Sequence, residues 1–209
     1  MLSFFHKYGR NYTYSQNNEE GILEEMLKRM KIETGHAVDI GGNNGFWCSN
    51  IARLVDQGWS SLLVEADFDL WVQSCENWKG NVRVKSQCSP VAPGNVNAFV
   101  KDDCIVLNID VDGTDLAIFK AVKVKPPIVI IEVNSGFPPE IEHDSEKQGC
   151  SYLTLTKAAI EKGYFVVCHT GNVILCDKKY RKIFPEIIGD GIENSREYFR
   201  TDWLQKKTA

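Results

Sequence analysis

Five short apolar runs alternate with amphipathic segments, and this alternation constrains the chain more than any other feature. The runs cover residues 37–40, 62–65, 82–85, 104–109 and 128–133, the length of buried strands. Segments 46–57, 67–78 and 115–122 between them read as helices, with Gly58 stopping the first and Asp67 capping the second. Strands joined through helices must pair in parallel, so the sheet should be covered on both faces. Ahead of the first strand, Ile22, Leu23, Met26, Leu27 and Met30 recur at helical spacing over residues 18–30. After a polar loop over 134–149, Ser151 caps a helix over 152–162. Runs 164–169 and 173–176 then flank Thr170-Gly171-Asn172 as a hairpin. The prediction is an α/β fold with a seven-stranded, mostly parallel sheet closed by an antiparallel hairpin. It forms a single domain over 1–209, with a helical extension (1–34), a core (35–177) and a tail (178–209). Residues 87–100 and those from Tyr180 onward carry no clear pattern.

Asp39-Ile40-Gly41-Gly42-Asn43-Asn44-Gly45 follows the first strand directly. Ligands of open α/β sheets bind at the carboxyl ends of strands, and glycines let a ligand approach the backbone. Val64-Glu65-Ala66 closes the second strand, where a carboxylate can accept both hydroxyl hydrogens of a ribose. A pyrophosphate dinucleotide wants G-x-G-x-x-G, whereas this chain offers G-G-N-N-G-F. The polar Asn43 suits a nucleoside without phosphates, and S-adenosylmethionine is one. Gln16 and Asp39 are placed for its amino-acid end; Ser86, Gln87 and Cys88, after the third strand, are placed for its adenine.

Asp110 and Asp112 end the fourth strand, and Glu132 ends the fifth with Asn134 just beyond. Three carboxylates gathered in a dry crevice repel one another unless compensated. A divalent cation, magnesium or manganese, held by Asp110, Glu132 and Asn134 would compensate them and orient a diol. Otherwise one carboxylate takes a substrate proton while the others bind hydroxyls. Asp112 is the preferred base, and His143 in the following loop is the other candidate. Asp110 also lies near enough to meet the cofactor, and Asp112, Glu132, Asn134 and His143 would contact the acceptor. Asp115 reads as a helix cap. Trp47, Trp59, Trp71 and Trp78 read as core, and Trp203 as a conceivable sugar-stacking residue.

The formal net charge is −4 and no long basic run stands out, which argues against a nucleic-acid footprint. Lys178, Lys179, Arg181 and Lys182 read as a solvated turn. No stretch approaches a membrane span. The seven cysteines are scattered without a C-x-x-C pair, which points away from a disulfide framework or zinc site and toward a reducing, cytoplasmic compartment.

Several of these segments together resemble the FkbM-like methyltransferases. They are Ser15-Gln16-Asn17-Asn18-Glu19-Glu20, residues 38–45, residues 58–65, Asn108-Ile109-Asp110-Val111-Asp112-Gly113-Thr114-Asp115, and residues 130–134. Gly163-Tyr164 with Asn172 is similar to that family's closing hairpin. The resemblance spans about residues 14–176. It implies a Rossmann-like class I fold, S-adenosylmethionine as methyl donor, and a hydroxyl acceptor on a sugar or glycoside. In size the chain is also similar to rhamnose-methylating domains of multidomain glycan-building proteins from large algal viruses. That likeness implies a host-cytoplasm location and a place within a longer chain. Relatives often carry Glu-Gly-Ala or Asn-Asp-Tyr where this chain has Asp112-Gly113-Thr114-Asp115-Leu116, which bears on the acceptor. Other readings are a methyltransferase for an RNA cap or another small molecule, a nucleotide- or nicotinamide-binding module, and an inactive scaffold. The spacing at 41–45, the hairpin and the intact Gly41, Glu65 and Asp110 set weigh against the last two.

Overall fold

The computed structural model describes residues 4–10 and 13–191; Trp203 lies outside them. Seven strands form one sheet: β1 (His36–Ile40), β2 (Ser60–Glu65), β3 (Val84–Cys88), β4 (Cys104–Ile109), β5 (Ile128–Glu132), β8 (Tyr164–His169) and β9 (Asn172–Asp177). Their order is β3-β2-β1-β4-β5-β9-β8. All neighbours among the first five are parallel, and β9 pairs antiparallel with both β5 and β8. This is a Rossmann-like methyltransferase fold. Strand order reverses between β1 and β4, so the ends of these two strands open the crevice in which such sheets bind ligands.

The alternation of side chains along each strand builds two separate cores. Val38, Leu107, Ile109 and Ile131 pack on one face with α6 (Asp115–Ala121) and α7 (Tyr152–Glu161). Ala37, Val106 and Ile130 pack on the other with α2 (Glu19–Met30) and Trp59. Helices thus cover both faces, as continuous apolar runs in β4 and β5 require. Three sequence-expected caps behave as read. Asp67 accepts from the N–H groups of Asp69 and Leu70 at the start of α4 (Phe68–Asn77), Ser151 accepts from Thr154 ahead of α7, and Gly58 follows α3 at φ +92°.

Other elements differ from expectation. The helix expected over 46–57 is only α3 (Ala52–Asp56). Before it, Asn44 Oδ1 accepts from the N–H groups of Phe46 and Trp47, and Cys48 adopts φ +57°, so residues 43–51 turn instead. β3 starts two residues later than expected, because Asn81 Oδ1 and the 78–81 turn hold the preceding residues. The unpatterned stretch holds the short α5 (Val96–Phe99), and the polar loop folds a two-stranded ribbon, β6 (Asp144–Ser145) with β7 (Gly149–Cys150). α1 (Phe4–Tyr8) packs Phe4 against Phe184, which lies beyond the 3₁₀ segment Lys178–Ile183. In that basic segment, Lys178 pairs with Asp190, Lys179 with Asp177, and Arg181 donates to backbone carbonyls. Trp59 is buried as expected, but Trp47 is 72% exposed because the 43–51 turn carries it to the rim of the crevice. No helix among the described residues is long and apolar enough to cross a membrane.

Candidate active site

The ends of β1 and β4 touch. Gly41 adopts φ +80°, and a Cβ placed on it would sit 1.6 Å from the carbonyl oxygen of Asp110. Glycine is therefore demanded by the meeting of two backbones as well as by its dihedral. The N–H groups of Gly41 and Gly42 both donate to Val64 O, and Asn43 N–H donates to Glu65 Oε2 at 2.8 Å. Glu65 Oε1 accepts from Asp67 N–H at 2.9 Å. Each oxygen has one protein partner, which leaves lone pairs for a diol. Gly45 serves packing: its carbonyl accepts from Trp78 Nε1, and its Cα faces that ring and Leu63.

A cavity of about 370 Å³ lies over this turn, lined by Asp39, Gly41, Gly42, Asn43, Glu65 and Ala66 among others. Asp110, Asp112 and Glu132 close one side of it. Among the described residues, no lysine, arginine or histidine lines it. Ser86 and Gln87 do not reach it. They lie within β3, where Ser86 bonds Ser74, and Ser89 and Val91 beyond the strand line the cavity. Cys88 is likewise within the strand and reaches Ala66 O. The late start of β3 moved its carboxyl end.

Asp39 is 1% exposed and accepts from Asn108 Nδ2 at 2.7 Å; Asn108 Oδ1 in turn accepts from Asn50 Nδ2. Burial pushes Asp39 up to about 6 against the Asn108 hydrogen bond, with the negative charge of Glu65 adding to the rise. A cationic ligand group above it would favour its charged form. This buried polar chain was missed in the sequence because Asn50 and Asn108 lie 58 positions apart.

A second cavity of about 570 Å³ adjoins the first and shares Cys48, Asp110, Asp112 and Glu132 with it. Gln16 and Asn17 line this one, so Gln16 lies in the second cavity and not over the glycine turn. Two buried carboxylates hold that strap. Glu20 accepts from the N–H groups of Thr13 and Tyr14, and Glu19 accepts from Asn17 N–H, Thr170 Oγ1 and Asn172 Nδ2.

Ligand oxygens of Asp110, Asp112 and Glu132 lie within 4.8 Å of one another. Burial pushes Asp110 up to about 8, with Glu132, Asp115, Asp39 and Asp112 adding negative charge. Burial, then Asp115 and Asp112, push Glu132 up to about 7, against a hydrogen bond with Asp110. The pair therefore shares a proton near neutrality. Asp112 is exposed, adopts φ +58° and faces both cavities.

Asn134 lines the second cavity but is committed elsewhere: Nδ2 donates to Gln148 O and Oδ1 accepts from Gly136 N–H. The acidic trio thus holds Asp112 where the sequence placed Asn134. His143 lines neither cavity. It stacks on Phe137, its Nε2 bonds Ser145 Oγ, and its N–H donates to Ser151 and Thr154. These contacts anchor the loop to α7 and hold His143 outside both cavities.

No family model and no curated protein sequence matches the chain. Solved structures do. One is an S-adenosylmethionine-dependent methyltransferase from Clostridium acetobutylicum ATCC 824, at TM-score 0.53 and 9% identity over 78% of this chain and 92% of that one. A candidate O-methyltransferase from Klebsiella pneumoniae matches at 0.52 and 13% over 83% and 86%. The METTL16 methyltransferase domain matches at 0.51 and 15% over 77% and 66%. At these identities the likeness is one of fold, that of class I S-adenosylmethionine-dependent methyltransferases.

Proposed function

We propose that this chain is an S-adenosylmethionine-dependent O-methyltransferase of the FkbM-like kind, acting on a sugar hydroxyl. One observation carries the cofactor reading: the Gly41–Asn43 turn and Glu65 share one cavity and are hydrogen-bonded to each other. Glu65 would accept the ribose hydroxyls, Ala66, Ser89 and Val91 would flank the adenine, and Asp39 would draw the positive end of the donor. A dinucleotide suits this cavity poorly. Pyrophosphate sites rest on a helix N-terminus or on cations, whereas α3 begins only at Ala52 and no basic residue among the described ones lines the cavity.

The sulfonium supplies an activated methyl group, so the protein must align the acceptor oxygen and remove its proton. Alignment contributes several kcal/mol and a positioned base ~10²–10⁴-fold. Asp112, exposed where the cavities join, would take the proton, while Asp110 and Glu132 accept from neighbouring hydroxyls. Asp110, Asp112 and Glu132 also suit a divalent cation, offering three hard oxygen donors in one cluster. Such an ion would polarise a sugar diol. The sugar acceptor rests on the resemblance of residues 14–176 as a whole to the FkbM-like methyltransferases, from which residues 112–116 depart. The seven unpaired thiols support a reducing compartment.

The test is incubation with a methyl-labelled donor against a panel of neutral glycosides, with products read by mass and NMR. Calorimetry with S-adenosylhomocysteine runs alongside. No heat at millimolar ligand refutes the cofactor; binding without methylation of any glycoside refutes the sugar.

A further inference from the structure

Asp112 carries an unusual backbone. Its φ of +58° is a conformation that residues other than glycine adopt at a cost of order 1 kcal/mol. Gly113 beside it has φ +154°, and a Cβ there would lie 2.2 Å from Glu146 O on the β6–β7 ribbon. Something must hold this turn open against relaxation. Asp115 is 2% exposed; its Oδ1 accepts from Val111 N–H at 2.8 Å and its Oδ2 from Gly113 N–H at 2.9 Å. One buried carboxylate therefore grips the residues on both sides of Asp112. The N-cap of α6 is Thr114, not Asp115, so the carboxylate reaches back to the turn rather than capping the helix from outside.

We propose that Asp115 is a positioning residue that clamps the peptide groups flanking Asp112 and so aims the Asp112 carboxylate at the acceptor. The proposal rests on Asp112 being the base. Both contacts require an acceptor oxygen, and each Asp115 oxygen supplies one. Asparagine keeps the volume but turns one acceptor into an NH₂ facing an N–H donor, so Asp115→Asn breaks half the clamp. Asp115 lines the second cavity and not the first, so donor binding should not depend on it.

The experiment compares the full wild-type chain with Asp115→Asn and Asp115→Ala. Backbone NMR reads the amide exchange of Val111 and Gly113 and the HN–Hα coupling of Asp112. Calorimetry reads S-adenosylhomocysteine affinity, and labelled methyl transfer to the glycoside identified above reads kcat and KM. In Asp115→Asn, the two amides should exchange at least about tenfold faster, and Asp112 should leave the left-handed region. The kcat should fall about 10²-fold, the loss expected from misplacing a reacting group by an ångström. S-adenosylhomocysteine affinity and donor KM should stay within about twofold. If Asp112 keeps its coupling and the amides their protection in both variants, the clamp does not exist. If the clamp opens while kcat holds, or if donor binding falls in step with kcat, Asp115 is structural only and the proposal is overturned. A wild-type chain that binds no S-adenosylhomocysteine is a different result. It refutes the functional reading, while the NMR comparison still decides whether the clamp exists.

Discussion

The Asp110–Glu132 pair should make the ligand-free protein lose stability as pH rises from about 4 to 8, and Asp110→Asn should restore it. Burial and neighbouring carboxylates raise both groups in the folded chain. The folded state therefore holds protons that the unfolded state has released, and its advantage is full below the unfolded values. That advantage fades as pH climbs through about 7 and then about 8. A four-unit rise at Asp110 would correspond to roughly 5–6 kcal/mol. Partial solvent access and the proton shared with Glu132 reduce this to about 2–3 kcal/mol. For a chain of this size that is about 4–10 °C in Tm. Asparagine is nearly the same shape as the protonated carboxyl, and its NH₂ can donate to Glu132. Asp110→Asn should accordingly match wild type near pH 4, exceed it by that margin near pH 8, and transfer no methyl groups. Thermal unfolding across about pH 4–9, with turnover measured on the same samples, reads both. A wild-type Tm that is flat over this range, or a variant less stable than wild type at pH 8, would refute the reasoning.

Other expectations follow from the same geometry. Magnesium or manganese at about 10 mM should recover the wild-type Tm lost near pH 8 and leave Asp110→Asn unmoved; unchanged melting, together with full turnover in EDTA, would remove the cation. Glu65→Ala should weaken S-adenosylhomocysteine binding by about 10–10²-fold, the worth of hydrogen bonds to a charged group, with calorimetry as the measure. Asp112→Ala should bind it normally and fail to turn over; normal turnover would move the base elsewhere. Gly41→Ala should cost at least about 2 kcal/mol in denaturant unfolding, because its Cβ would collide with Asp110 O. Trp47→Ala should leave stability within about 0.5 kcal/mol, since the indole is mostly in solvent.

Where the sequence was legible, the signal was local. Apolar runs at β1, β4 and β5 showed their strands because they are buried on both faces, and Asp67 and Ser151 announced their helices by capping chemistry. Glu65 was legible as the carboxylate that closes β2, because spacing reveals strand-end position. Shifts at β3 and α3 were hidden, because Asn44 and Asn81 redirect the backbone through side-chain hydrogen bonds that leave no periodic trace. Trp47 misled for a related reason: an aromatic residue in an expected helix reads as core, and only the turn at Asn44 and Cys48 exposes it. His143 drew attention as a titratable loop residue, yet its ring stacking and backbone bonds are long-range facts. Asp115 was seen as a cap because its contacts at positions 111 and 113 run backward along the chain.

The glycine turn and the acidic cluster border adjoining cavities, and the switch in strand order makes them so. β1 and β4 are neighbours whose crossover helices leave on opposite faces, so the turn after each must lean over the same gap. At Gly41 the two turns come so near that an added Cβ would meet Asp110 O, and this sets the glycine turn against the acidic cluster. Asp110 then lines both cavities. In a methyl transfer the donor carbon and acceptor oxygen must come within about 3–3.5 Å. Cys48, Asp110, Asp112 and Glu132 border both cavities, so the two pockets meet along one shared wall. Widening the Gly41–Asp110 contact should therefore lower turnover more than it lowers donor affinity, whichever hydroxyl is methylated.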